Sequence, residues 1–190
     1  MTTFDAASMS PVPAPAADAQ SPGPFHGIYG MPMFVTVPTD DLAATVLFWT
    51  EGLGFFDLFS VPGRLTHLRR WAFQDVLVVP SAAADAVPSG AVDAAPSGSV
   101  DAAPSGAVGT SPSTSVSFSC VLSEIAPARD RCEALLPGST TGPHDTPWNA
   151  VELAVLTPER TRVVLTAAKP YDAARPVAET LAAMGITPSG

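Results

Sequence analysis

The sequence predicts an α+β fold made of two βαβββ modules. Three observations point there. Residues 31–80 and 115–170 carry the same succession of apolar strands and one amphipathic helix. The helix of the first stretch ends in two glycines and runs straight into a strand, in DLAATVLFWTEGLGF over residues 41–55. Between the stretches lies a repeat of eight residues, DAVPSGAV, DAAPSGSV and DAAPSGAV, starting at residues 85, 93 and 101. Its Pro and Gly break regular structure, so it separates the modules and adds no element of its own.

The elements follow in order. MFVTV (33–37) is a strand. Thr39 or Asp40 can cap a helix over roughly 41–51, in which Leu42, Val46 and Trp49 share a face and which Gly52 and Gly54 close. Phe48 and Trp49 are expected to pack in the core. FFDLFSV (55–61) is a strand, Pro62-Gly63 a turn, and RLTHLRRW and FQDVLVV form a hairpin. In the second module SVSFSCVL (115–122) is a strand. A helix spans about 125–136 up to Pro137-Gly138, a short extended piece lies near 139–142, and NAVELAVL and RVVLTAA are strands joined by TPER.

Outside the modules, residues 1–30 form a Pro- and Ala-rich arm expected to be disordered or loosely draped. Residues 81–114 read as a low-complexity loop, expected to be dispensable for folding, because closure entropy grows only logarithmically with length. The tail, 171–190, holds a short helix near 175–184, with Val177, Leu181 and Met184 on one side. That apolar side needs a surface, on its own domain or on a partner subunit in a homodimer.

Composition narrows the function. The formal charge is −9, and five of the 18 acids lie in the arm and the repeat loop without a Lys or Arg. With one lysine and no basic stripe, the chain is not built for nucleic acid. No apolar run reaches the roughly 18 residues of a membrane span, and the N-terminus lacks the basic and apolar regions of a signal peptide. Cys120 and Cys132 have neither disulfide-framework nor metal spacing; they read as buried free thiols of a cytoplasmic protein. There is no nucleophile elbow, P-loop or dinucleotide fingerprint.

VPTDDLAATVLFWTEGLGF resembles the opening of the glyoxalase/bleomycin-resistance/dioxygenase (vicinal oxygen chelate) superfamily: strand, Asp-Leu at the helix start, an aromatic pair, then Leu-Gly-Phe into the next strand. PWNAVELAVLTPERTRVVLT is similar to its closing hairpin, with TPERT at the turn. The Pro-x-x-Asp-Leu form is most similar to the metal-free bleomycin-resistance branch. The resemblance implies curved mixed sheets around a cleft. In the enzymes of the superfamily, His, Glu or Gln on the strands hold a divalent metal that acts as Lewis acid. Here the implied first-strand position falls on Phe34, or on Pro32, and its counterpart on about Ser117. The closing strands offer no carboxylate at their ends. A site built from His67, Glu152 and Asp75 is a weaker alternative, because Asp75 and Glu152 are expected to face solvent or to pair with Arg69, Arg70 or Arg162.

The expected site is therefore an apolar cleft without metal or other cofactor. Strand alternation puts Phe34 and Thr36 on one face, and Ser117 and Ser119 on the matching face of the second module. Phe59, Trp71 and Trp148 are candidate stacking surfaces, and His67 a hydrogen-bonding group. Together these eight residues imply a protein that sequesters a hydrophobic or aromatic small molecule, as drug-binding members of the superfamily do. The alternative is an enzyme of the superfamily, either a metal-dependent lyase or dioxygenase or a cofactor-free isomerase or cyclase.

Overall fold

A computed structural model describes residues 16–30, 33–84, 114–170 and 182. The octapeptide repeat and the helix expected near 175–184 lie outside the described residues, apart from helical position 182.

Each module is one four-stranded mixed sheet. The first contains β1 (Phe34–Thr39), β2 (Phe56–Val61), β3 (Leu65–Arg69) and β4 (Asp75–Pro80), in the order β1-β4-β3-β2. The second contains β5 (Thr114–Cys120), β6 (Thr140–Asp145), β7 (Ala150–Leu156) and β8 (Thr161–Ala168), in the order β5-β8-β7-β6. The outer strand runs parallel to the last strand in both, and the other neighbours are antiparallel. Because β1 is an edge strand, Pro38 interrupts no central ladder.

The helix of the first module is a composite. α1 (Leu42–Leu47) continues as a π-turn over Phe48–Gly52. Its cap is Asp41, whose Oδ1 accepts from the Ala44 N–H at 2.9 Å. The expected caps serve otherwise: the Thr39 hydroxyl accepts from the Asp41 N–H at 3.1 Å and meets the Thr45 hydroxyl at 2.8 Å. The glycines have separate roles. Gly54 takes φ +79°, the left-handed conformation that ends the helix. Gly52 allows close approach, because a Cβ there would lie 3.2 Å from Cys132 Sγ.

The second helix, α3 (Leu122–Leu135), starts three residues before the expected 125. Val121 has no capping side chain; instead Glu124 reaches back to accept from the Val121 N–H at 3.0 Å. A single turn, α2 (Ser81–Ala84), follows β4 at the start of the repeat loop.

One face of each sheet packs beneath the helices into a common core. The first sheet contributes Val37, Leu68, Val76 and Val78; the second contributes Phe118, Leu153, Val155, Val163 and Leu165. Trp49, Phe55 and Phe118 meet edge to face where the modules join, with Trp49–Phe55 and Phe55–Phe118 centroids 5.0 and 5.2 Å apart. Polar links cross the same seam. Trp49 Nε1 donates to Glu159 Oε1 at 3.0 Å. Buried Arg70 pairs with Glu124 at 2.8 Å and donates to the Ser119 carbonyl at 2.9 Å. Cys120 and Cys132 are buried free thiols, and burial pushes both up to about 11.

Candidate functional site

The outward face of the first sheet carries a groove of about 250 Å³. Strand alternation sets its floor: Phe34 on β1, Leu77 on β4, His67 and Leu65 on β3, and Phe59 on β2. A bulge in β2, between Asp57 opposite Leu68 and Phe59 opposite His67, adds one residue. Leu58 therefore joins Phe59 in lining the groove. Phe34 and Phe59 stand on either side of His67, each edge-on to its ring with centroids 5.1 Å apart.

One wall comes from the arm. Residues 16–30 contain no helix or strand, and their last part crosses this face, placing Ile28 and Tyr29 in the lining. Arg69 fastens it by donating from Nη1 to the carbonyls of Phe25 and Gly27, at 3.0 and 2.6 Å. The guanidinium also lies 4.6 Å from the Tyr29 ring centroid and 5.5 Å from that of Phe25.

On the same face, covered by the arm, is a buried polar cluster. Asp75 Oδ1 meets His67 Nε2 at 2.6 Å and accepts from Arg69 Nε at 2.7 Å. Asp75 Oδ2 accepts from the Tyr29 hydroxyl. Asp75 was expected on the surface or in an exposed pair. It is 2% exposed instead, and Arg69 is equally buried, so this is an interior ion pair. Burial pushes the Asp75 carboxyl up to about 6. Burial and then the Arg69 charge hold His67 below its usual value, although Asp57 pulls the other way. The two donors on the carboxyl, Arg69 Nε and the Tyr29 hydroxyl, favour its ionised form, and burial favours the neutral imidazole.

The structure gathers Phe34, Phe59 and His67 around one space. Thr36 lies on the same face of β1 but does not line the groove. Trp71 follows the end of β3, against Arg70, with the guanidinium 5.1 Å from its ring centroid, and it too lies outside the groove. Ser117 and Ser119 are exposed on the outward face of the second sheet. Trp148 stands half-exposed in the β6–β7 turn. The sequence reading did not single out Tyr29, Arg69 or Leu58 for the site. The 67/69/75 alternation across the β3–β4 hairpin could have marked Arg69.

Each sheet with its crossing helix is one βαβββ unit, and the pair side by side matches solved structures along most of their length. A lactoylglutathione lyase from Agrobacterium tumefaciens is 18% identical over 74% of this chain and 95% of its own, with a TM-score of 0.50. A glyoxalase/bleomycin resistance protein/dioxygenase from Nocardioides is 19% identical over 77% and 88%, with a TM-score of 0.50. A glyoxalase-related enzyme from Fulvimarina pelagi is 18% identical over 74% and 88%, again at 0.50. The chain has the glyoxalase/bleomycin-resistance/dioxygenase fold. No protein-family model and no curated protein sequence matches it.

The residues present do not fit the divalent metal of the glyoxalase-fold enzymes. Phe34 and Ser117, where the resemblance implies ligands, are not useful ligands for such an ion, and the alternative position, Pro32, lies outside the described residues. His67 Nε2 and both Asp75 oxygens are engaged with each other, Arg69 and Tyr29. Glu152 lies on the other sheet, beside Thr166. Among the described residues, no three His, Cys, Asp or Glu side chains converge, and no helix is long and apolar enough to cross a membrane.

Proposed function

We propose that this protein binds a flat, hydrophobic small molecule in the groove of its first module, without a metal. The observation that carries this reading is the file of three rings, Phe34, His67 and Phe59, on an apolar floor with space above it. Small-molecule sites are mostly apolar with a few placed polar groups, and this groove has that composition. Phe34 and Phe59 are 39% and 50% exposed, so their faces are available for stacking. The two free thiols suit a reducing compartment, and we place the protein in the cytoplasm.

Calorimetric titration with a panel of fused-ring aromatics tests the reading. Phe59→Ala should weaken binding by on the order of 2 kcal/mol, about thirtyfold. Prior treatment with a chelator should change nothing. Loss of binding on chelation would refute the metal-free mode, and an unaltered Phe59→Ala affinity would move the site elsewhere.

The His67–Asp75 pair favours a second reading, a cofactor-free enzyme that moves a proton on such a molecule. Turnover that disappears in His67→Phe while ligand binding persists would establish it.

A further inference from the structure

The proton positions around Asp75 define what the groove ligand must offer. Tyr29 settles the first of them. Its hydroxyl oxygen accepts from the Phe73 N–H at 2.9 Å, so its own proton goes to Asp75 Oδ2. Arg69 Nε, always a donor, supplies Oδ1 at 2.7 Å. Two donors already face the carboxyl, the arrangement of an ionised acid, whose oxygens only accept. Opposite such a carboxylate, His67 Nε2, 2.6 Å from Oδ1, carries the hydrogen. In the neutral ring that leaves the lone pair on Nδ1. No described residue donates to Nδ1, and the rings on either side, Phe34 and Phe59, have no donor to give.

We infer that His67 Nδ1 is the hydrogen-bond acceptor of the groove and that the ligand is an aromatic molecule carrying a neutral hydroxyl, such as a phenol, which donates to it. This rests on the ligand-binding reading above. The charges around His67 narrow the class further. An ionised carboxylate has no hydrogen to donate to Nδ1. An ammonium would meet the Arg69 guanidinium, which lines the same groove. A neutral hydroxyl on a flat ring satisfies Nδ1 and leaves the remainder of the ligand to the Phe34, Leu77 and Phe59 surface. Sites that hydrogen-bond a substrate hydroxyl discriminate against analogues lacking it, because the site's own polar group is then left unpaired.

The test compares 2-naphthol with 2-methylnaphthalene, which replaces the hydroxyl by a methyl of similar size. By calorimetry on the full chain at neutral pH, 2-naphthol should bind about tenfold more tightly or better. His67→Phe keeps a ring between Phe34 and Phe59 and removes the acceptor. It should erase that preference while retaining 2-methylnaphthalene. If this variant does not fold, long-range ¹H–¹⁵N spectra of the wild type decide alone. They should show a protonated Nε2 and a bare Nδ1, whose signal moves when 2-naphthol saturates the site and not when 2-methylnaphthalene does. Equal affinities in the wild type, a preference that survives in His67→Phe, or a proton resident on Nδ1 would overturn the inference while leaving aromatic binding intact. Binding of neither probe by the wild type would instead remove the ligand-binding reading, and the inference with it.

Discussion

The two modules share a scaffold and differ on the face that does not pack against the helices. Their strand order is the same, and both carry a one-residue bulge in the second strand, at Asp57/Phe59 and at Thr141/His144. Both bury one alternating set of mainly Val and Leu side chains. On the opposite face the first sheet shows Phe34, Leu77, His67 and Phe59 beside the buried Arg69–Asp75 pair. The second shows Ser115, Ser117, Ser119, Thr166, Glu152 and His144 around the buried Val164 and Ala154. The arm rests on the first face, and the three serines of the second are exposed. Core alternation alone is enough to specify the module. The free half of each strand is then open to take on a function, and in the first module that half lines a groove.

The largest expected contrast comes from the acids on these two faces. Asp75→Ala would strand the buried Arg69 charge and should cost about 3–5 kcal/mol. Glu152→Ala, at a half-buried position touched by the Thr166 hydroxyl at 3.4 Å, should stay within about 0.5 kcal/mol. Urea midpoints measure both, and equal costs would erase the distinction drawn between the faces.

The seam between the modules comes next. Gly52→Ala forces a methyl toward Cys132 Sγ and Leu135 Cδ1, at 3.2 and 3.4 Å, and should cost about 1–3 kcal/mol by overpacking. Arg70→Ala leaves the Ser119 carbonyl and Glu124 without that donor and should cost about 1–3 kcal/mol in the same assay. Little change in either variant would leave the ring contacts and the Trp49–Glu159 bond as what joins the modules.

Acid should act on the first module through His67. A histidine held below the unfolded value of 6.5 contributes stability that is full above 6.5 and lost as pH falls through its folded value. Asp75 works in the opposite sense: raised to about 6, it contributes stability present below 3.8 and lost as pH rises through about 6. His67→Phe removes the histidine and its 2.6 Å bond to Asp75 together, so the difference between wild type and variant reports the coupled pair. Wild type should lose ground to the variant as pH drops below 6.5, and a flat difference in denaturation midpoints would contradict that. The smallest effect is expected from replacing residues 85–113 with a short Gly-Ser linker, which should leave the melting transition nearly unmoved. A collapse of folding would show that the repeats take part in the packing.

Alternation made the strands and the helix-facing core legible in the sequence, because a strand in a two-faced sheet must alternate. Helix ends were less so. Asp41 caps α1 although Thr39 and Asp40 are equally good caps by residue type, and α3 begins at a valine with Glu124 supplying the missing cap. The π-turn over Phe48–Gly52 leaves no compositional mark. In the groove, Phe34, His67 and Phe59 follow from alternation in β1, β3 and β2. Leu58 enters through a bulge that no local pattern announces. Tyr29 was invisible for a different reason: the arm has no periodicity of its own, so only the Arg69–Asp75 pair that receives it reveals where it lies. Trp71 and Trp148 are large rings near strand ends, and sequence offers no means of telling a ring that turns toward the groove from one that lies beside it.

The placement of the indoles has an optical consequence. Trp49 is sealed from solvent between Phe55 and Phe118, with its N–H fixed on Glu159 of the other module. Its emission should be blue-shifted while the modules are docked and should move red when they part. Trp71 and Trp148 stand outside the groove, so a ligand settling between Phe34 and Phe59 would leave the native spectrum almost silent. In a protein with Trp71→Phe and Trp148→Phe, Trp49 alone would emit, giving a clean gauge of the joint between the modules.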